Sequence, residues 1–307
     1  MNKVSASAPA KVNLIFEVGK LEKSGYHNVN SLFLALDLRE EVTVSSGLPG
    51  TGISIFVKGD GLPARHISAV PTDESNLVAK VVILLSRKLG IEIPDLQIDI
   101  FKRIPVAGGM AGGSADAAAM LIAFSAYAHQ YLNAREMTLE ELLDAGSELG
   151  SDISFCVLGQ LAIGTGRGNQ LSAITPFSFE THWLLALSQQ GLSTPSVYNK
   201  FDDLGNFSSF RDLTSVSQGI HTIEDLVPLL HNDLEPAALS LMPQLRTLIS
   251  SIEELGALRA IVSGSGPTIA ALCSSKEQAK SIAETLTGQE IFALVASSPA
   301  LGANLEG

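Results

Sequence analysis

A chain of 307 residues exceeds what one simple core fills, so one large two-lobed domain or two modest ones is the starting expectation. At 46% hydrophobic residues and a mean hydropathy of +0.27, with no low-complexity tract or charge block, it has the composition of an ordered protein and not of a disordered one. Thirty-two acidic against twenty basic residues give a formal charge of -12, which repels a nucleic-acid backbone. Anionic small molecules stay admissible, because backbone amides and a few lysines set the potential inside a pocket.

The first ten residues carry Lys3 but no apolar stretch of signal-peptide length, so a cytoplasmic location is expected. Residues 11–18, 31–38, 41–45 and 53–57 read as strands. A helix is expected over 76–89, where Leu77, Val81, Leu84 and Leu85 recur at helical spacing, Ser75 precedes as N-cap and Gly90 closes. A strand over 96–101 leads into a glycine-rich loop. Two helices follow, over 114–132 and 138–149, the second with Thr138 and Glu141 at capping-box spacing and Gly150 at its end. The apolar run 117–128 is too short to cross a bilayer.

Farther on, strands are expected over 183–188 and 260–263, a loop around 205–218, and helices over 223–230 and 234–255. The mixture suits an α+β fold, divided near residue 165 into domains 1–165 and 166–307. Cys156 and Cys273 lie far apart and form no CxxC pair, which excludes a thiolate zinc cluster.

The most informative stretch runs from Ile104 to Ala118, IPVAGGMAGGSADAA: a strand exit, a loop with four glycines and an alanine-rich helix start. Glycines let a backbone approach a ligand closely, and the following helix offers unpaired amides at its positive end, so phosphate binding is the natural reading. A Walker A loop is excluded, because no Lys precedes Ser114, and no set of these glycines has the offsets of a dinucleotide fingerprint. Ser114 either caps the helix or touches a phosphate or magnesium ion. Asp116 can simply stabilise the helix dipole.

Three separated motifs carry a resemblance: Pro9-Ala10-Lys11-Val12-Asn13-Leu14, the loop 105–118, and Ser263-Gly264-Ser265-Gly266-Pro267-Thr268. In order and spacing they resemble the GHMP kinase superfamily. Gly25-Tyr26-His27, Leu149-Gly150-Ser151-Asp152, Thr165-Gly166-Arg167-Gly168 and Asn232-Asp233-Leu234-Glu235 are similar to the branch that acts on 4-diphosphocytidyl-2-C-methyl-D-erythritol. The resemblance implies a two-lobed fold with its site in the cleft between lobes. It also implies ATP-dependent phosphorylation of that substrate's 2-hydroxyl, a step in isoprenoid-precursor synthesis, with Mg2+ accompanying the nucleotide.

Carried over by position, Lys11 and Asp152 match the catalytic pair. Pro105, Val106, Ala107, Gly108, Gly109, Met110, Ala111, Gly112, Gly113, Ser114 and Ala115 match the ATP loop, and Asn76 and Lys102 match positions beside the adenine. Asn13, Tyr26 and His27 match the substrate side. Ser24, Asn28 and Asn169 depart from the branch pattern without removing a catalytic group. Whether the chain is a monomer or a homodimer stays open.

The residue types suit the chemistry. Phosphoryl transfer needs in-line positioning and neutralisation of spreading charge, which one carboxylate and one ammonium supply. Tyr26 and His27 suit a planar polar base such as cytosine. The rival readings are a homoserine or mevalonate kinase, and a catalytically silent nucleotide-binding protein on the same fold.

Overall fold

The computed structural model describes residues 2–106, 108–188 and 190–307. The chain runs through β1 (Lys3–Leu21), β2 (His27–Ser46), β3 (Ile53–Gly59), α1 (Ala64–Ser68), α2 (Leu77–Leu89), β4 (Leu96–Lys102), α3 (Gly112–Tyr131), α4 (Leu139–Leu149) and α5 (Ile153–Leu158). It continues through β5 (Leu161–Thr165), β6 (Gln170–Ile174), β7 (Thr181–Leu187), α6 (Thr194–Leu204), α7 (Leu213–Gln218), α8 (Ile223–Leu226) and β8 (His231–Asn232). The last elements are α9 (Glu235–Leu241), α10 (Gln244–Glu254), β9 (Arg259–Val262), β10 (Ile269–Cys273), α11 (Lys276–Gly288), β11 (Phe292–Ser298) and β12 (Asn304–Leu305).

Two sheets organise these elements. The first has the order β12-β1-β2-β4-β3, with β5 and then β6 attached to β2, and β8 lying parallel to β1. The second is antiparallel, in the order β11-β7-β10-β9. The expected boundary near residue 165 falls at the turn of the β5–β6 hairpin, and β8 and β12 also return to the first sheet. The division of the chain by position therefore differs from its division into sheets.

Packing follows the side-chain period of each element. Along β7, Trp183 and Leu185 face the large core beneath the first sheet, whereas Leu184 and Ala186 face the core under α9, α10 and α11. One strand thus ties both lobes. The carboxylate of Asp37 on β2 adds a tie, accepting the Ser297 amide of β11 at 2.7 Å. Helix α3 is buried against β1, β2, α2, α4 and α5, which is why its sequence is apolar on almost every side.

Several expectations are sharpened. The strands read at 31–38 and 41–45 are parts of one continuous β2. Asn76, not Ser75, caps α2, its side chain accepting the Val78 amide, while Gly90 closes the helix at φ 67°. The helix read over 234–255 is broken at Met242 and Pro243, because proline lacks the amide that a continuous helix needs. The expected loop at 205–218 contains α7, capped by Asp212. Thr138 and Glu141 form the expected capping box. No helix among the described residues is long and apolar enough to cross a membrane.

Candidate active site

The register of β1 against β2 slips between Pro9 and Ala10 and again between Asn13 and Ile15. Lys11 and Asn13, two residues apart and so on one face, lie between these irregularities, the kind of place where strands re-aim side chains. Lys11 is 5% exposed, and its Nζ donates to Asn13 Oδ1 at 2.7 Å. Asn13 in turn donates to the Ser31 hydroxyl at 2.7 Å, and Ser31 donates to the Ile15 carbonyl. The ammonium is thereby aimed by a fixed chain of bonds. Asp152 comes from the turn between α4 and α5. Its side chain makes no cap bond to α5, and Oδ2 stands 3.7 Å from Lys11 Nζ.

The glycine turn forms the adjacent wall. Gly109 has φ 73°, and a Cβ there would fall 2.1 Å from the Ser263 carbonyl oxygen, so only glycine fits. The Ser263 hydroxyl donates to the Gly109 carbonyl at 3.2 Å, and a Cβ on Gly108 would meet Thr268 Oγ1 at 2.8 Å. The second and third motifs therefore interlock. Asn232 braces the third motif by donating to the carbonyls of Val262 and Gly264, each at 2.7 Å. Ala111, at φ 63°, is the N-cap of α3, so Ser114 lies in the first turn and does not cap the helix. Met110 and Ala115 bury their side chains in the core and can serve a ligand only through the backbone.

Lys11, Asn13, Asp152, Gly109, Ala111 and Gly264 line one cleft of about 240 Å³. It shares Val29, Ser151, Arg167, Thr194 and Tyr198 with a neighbouring cavity of about 460 Å³ that contains Tyr26 and His27. Tyr26 is half exposed, and the Arg167 guanidinium carbon lies 3.7 Å from its ring centroid. His27 is fixed: its Nδ1 donates to the Gly19 carbonyl at 2.8 Å, and its ring lies 5.1 Å from that of Tyr198. Burial, and then the nearby Asp152 carboxylate, push the Tyr198 hydroxyl well above its usual range, which keeps it a neutral donor.

The side chains of Lys102 and Asn76 both make contacts within the fold. The Lys102 side chain is fully buried between Glu40 and Asp116, so only its backbone is free to face an adenine. Asn76 has its carboxamide engaged at both ends, accepting the Val78 amide and donating to the Pro71 carbonyl. Asp116 serves the same buried cluster, a pairing that its place in an alanine run does not reveal. Ala107 lies outside the described residues. Pro105, Val106 and Gly108 instead line a separate cavity of about 180 Å³ with Arg65, His66 and Gln190. Arg167, Tyr198, Thr194 and Ser265 are site-lining residues that reading by motif left without a role, although Arg167 and Ser265 lay within motifs already noted.

This geometry, with a glycine turn feeding a helix beside a lysine–aspartate pair, defines a phosphotransferase cleft. Residues 76–160 match the model of the GHMP kinases N terminal domain, and residues 208–290 that of the GHMP kinases C terminal. A relative from Rhodococcus jostii (strain RHA1) is 42% identical, covering 98% of this chain and 94% of its own length, and one from Thermobifida fusca (strain YX) is 41% identical, covering 98% of each. Both are called 4-diphosphocytidyl-2-C-methyl-D-erythritol kinase. A crystal structure of 4-(cytidine 5'-diphospho)-2C-methyl-D-erythritol kinase superposes with a TM-score of 0.73 at 25% identity, covering 99% of both chains. Homoserine kinase from Cytophaga hutchinsonii superposes at 0.72 with 20% identity, covering 100% of this chain and 98% of its own, and shares the fold. The chain belongs to the GHMP kinases and, within them, to the 4-diphosphocytidyl-2-C-methyl-D-erythritol kinase family.

Proposed function

We propose that this chain transfers the γ-phosphoryl group of ATP to the 2-hydroxyl of 4-diphosphocytidyl-2-C-methyl-D-erythritol. The observation that carries the reading is the approach of Lys11 to Asp152 in the cleft that the interlocked glycine turns border. The amides at the start of α3 cradle the triphosphate. Asp152 accepts the hydroxyl proton as the substrate oxygen bonds to the γ-phosphorus, the bond from that phosphorus to the β–γ bridging oxygen breaks, and ADP departs. Lys11, 3.7 Å from the Asp152 carboxylate, offsets the charge that spreads over the transferring group.

The cavity holding Tyr26 and His27 opens from this cleft and takes the cytidine end, the base lying against the aromatic rings. The cavity across the glycine turn, at Val106 and His66, takes the nucleoside end of ATP. Among the described residues no cluster of three His, Cys, Asp or Glu side chains forms a metal cage. The Ser114 hydroxyl, in the first turn of α3, would be the side chain that holds a Mg2+ ion accompanying the nucleotide, and the ion would neutralise phosphate charge there.

Purified protein supplied with ATP and each candidate alcohol tests the assignment. Formation of ADP and a new phosphomonoester with the cytidyl substrate is expected; turnover of homoserine or mevalonate in its place contradicts it.

A further inference from the structure

A cluster of charge lies behind the phosphate-binding turn, and phosphoryl transfer itself makes no use of it. Lys102, at the end of β4, sits 2.5 Å from Glu40 Oε1 of β2 and 2.7 Å from Asp116 Oδ2 of α3, all three side chains being buried. Glu40 also accepts the backbone amides of Arg103 at 2.8 Å and Ile104 at 3.1 Å, the two residues that lead from β4 into the loop. The other oxygen of Asp116, Oδ1, is buried without a hydrogen-bond partner. Two buried carboxyl groups thus face one ammonium, and ionising both leaves a charge that burial penalises heavily.

We propose that Glu40, Lys102 and Asp116 are positioning residues for the nucleotide: they hold the entry to the glycine turn and the first turns of α3 in one arrangement while the two carboxyl groups retain one proton between them. The proposal rests on reading that turn as the seat of the triphosphate. Burial first, and Asp116 second, push the Glu40 carboxyl up to about 8, against the opposing pull of Lys102. Burial raises Asp116 as well. Among the described residues, Arg103, next to Lys102, has its guanidinium 3.4 Å from Glu41, and the Cys156 thiol of α5, near Asp116, is pushed up by burial and stays neutral. Loss of the shared proton leaves a net negative charge beneath an anion's cradle, and ATP affinity falls.

The test is calorimetric binding of the β,γ-imido analogue of ATP to the full-length protein from about pH 6 to about pH 9.5, repeated for Asp116→Asn and Glu40→Gln. For the wild type, Kd is expected to stay level and then rise about tenfold across the alkaline limb. Each variant removes one of the two carboxyl groups, and a level Kd in either folded variant supports the proposal. A variant that tracks the wild-type profile, or a wild-type Kd that never rises, overturns it. So does a loss of kcat with Kd unchanged at every pH. Absence of analogue binding by the wild type at all pH values overturns the reading of the turn as well, which separates the two failures.

Discussion

Lys11 Nζ lies 3.7 Å from Asp152 Oδ2 and donates to Asn13 Oδ1 at 2.7 Å, so two oxygens from distant parts of the chain hold one buried ammonium. Lys11→Met keeps most of the side-chain volume and removes the charge. We expect kcat to fall about a thousandfold, with the KM for the cytidyl substrate much less affected, because the ammonium acts chiefly on charge that develops during transfer. Steady-state kinetics check this; a rise in KM with kcat unchanged would make Lys11 a binding group only.

Gly109→Ala tests the interlocking of the two glycine motifs. The new Cβ falls 2.1 Å from the Ser263 carbonyl oxygen at a residue whose φ is 73°, so backbone must move. Destabilisation of at least about 2 kcal/mol is expected in urea unfolding, together with a higher KM for ATP. Wild-type stability and KM would show that the turns are not in contact in solution.

Tyr26→Ala removes the ring that Arg167 covers, at the edge of the cavity assigned to cytidine. The KM for the cytidyl substrate should rise about tenfold or more while the KM for ATP stays near its wild-type value, since a base stacked on an aromatic ring contributes about 1–3 kcal/mol. An equal rise in both constants would assign Tyr26 to the general fold of the cleft.

Stability should depend on pH through Glu40. Its folded-state carboxyl is raised to about 8 from an ordinary 4.5, so between those values the native state holds a proton that the unfolded chain has lost. The stabilisation is present in full below the ordinary value and lost as pH rises toward the folded one, at most on the order of 1 kcal/mol per pH unit. Urea midpoints should fall across this range for the wild type and much less for Glu40→Gln. Identical slopes contradict the assignment.

Local signals carried much of the fold. Thr138 and Glu141 marked the start of α4, and Gly90 marked the end of α2, because capping chemistry acts over three or four residues. The short helix α5 stayed hidden, since six mostly apolar residues show no period. The direction of the Lys102 side chain was legible too. The residue shares the parity of Leu96, Ile98 and Ile100 along β4, all buried, so alternation already aimed it at the core and away from a ligand. The contact of Lys11 with Asp152, and of Gly109 with Ser263, depends on how distant segments fold together, and only the motif resemblance hinted at those pairings.

Asp152→Asn, assayed for phosphoryl transfer alongside analogue binding, bears on the reaction most directly. The amide fills the same space but is a far weaker proton acceptor, so kcat should drop by a factor of about 10² to 10⁴ while the Kd of the imido analogue changes little. A variant that turns over at the wild-type rate would remove the carboxylate from the chemistry and contradict the account.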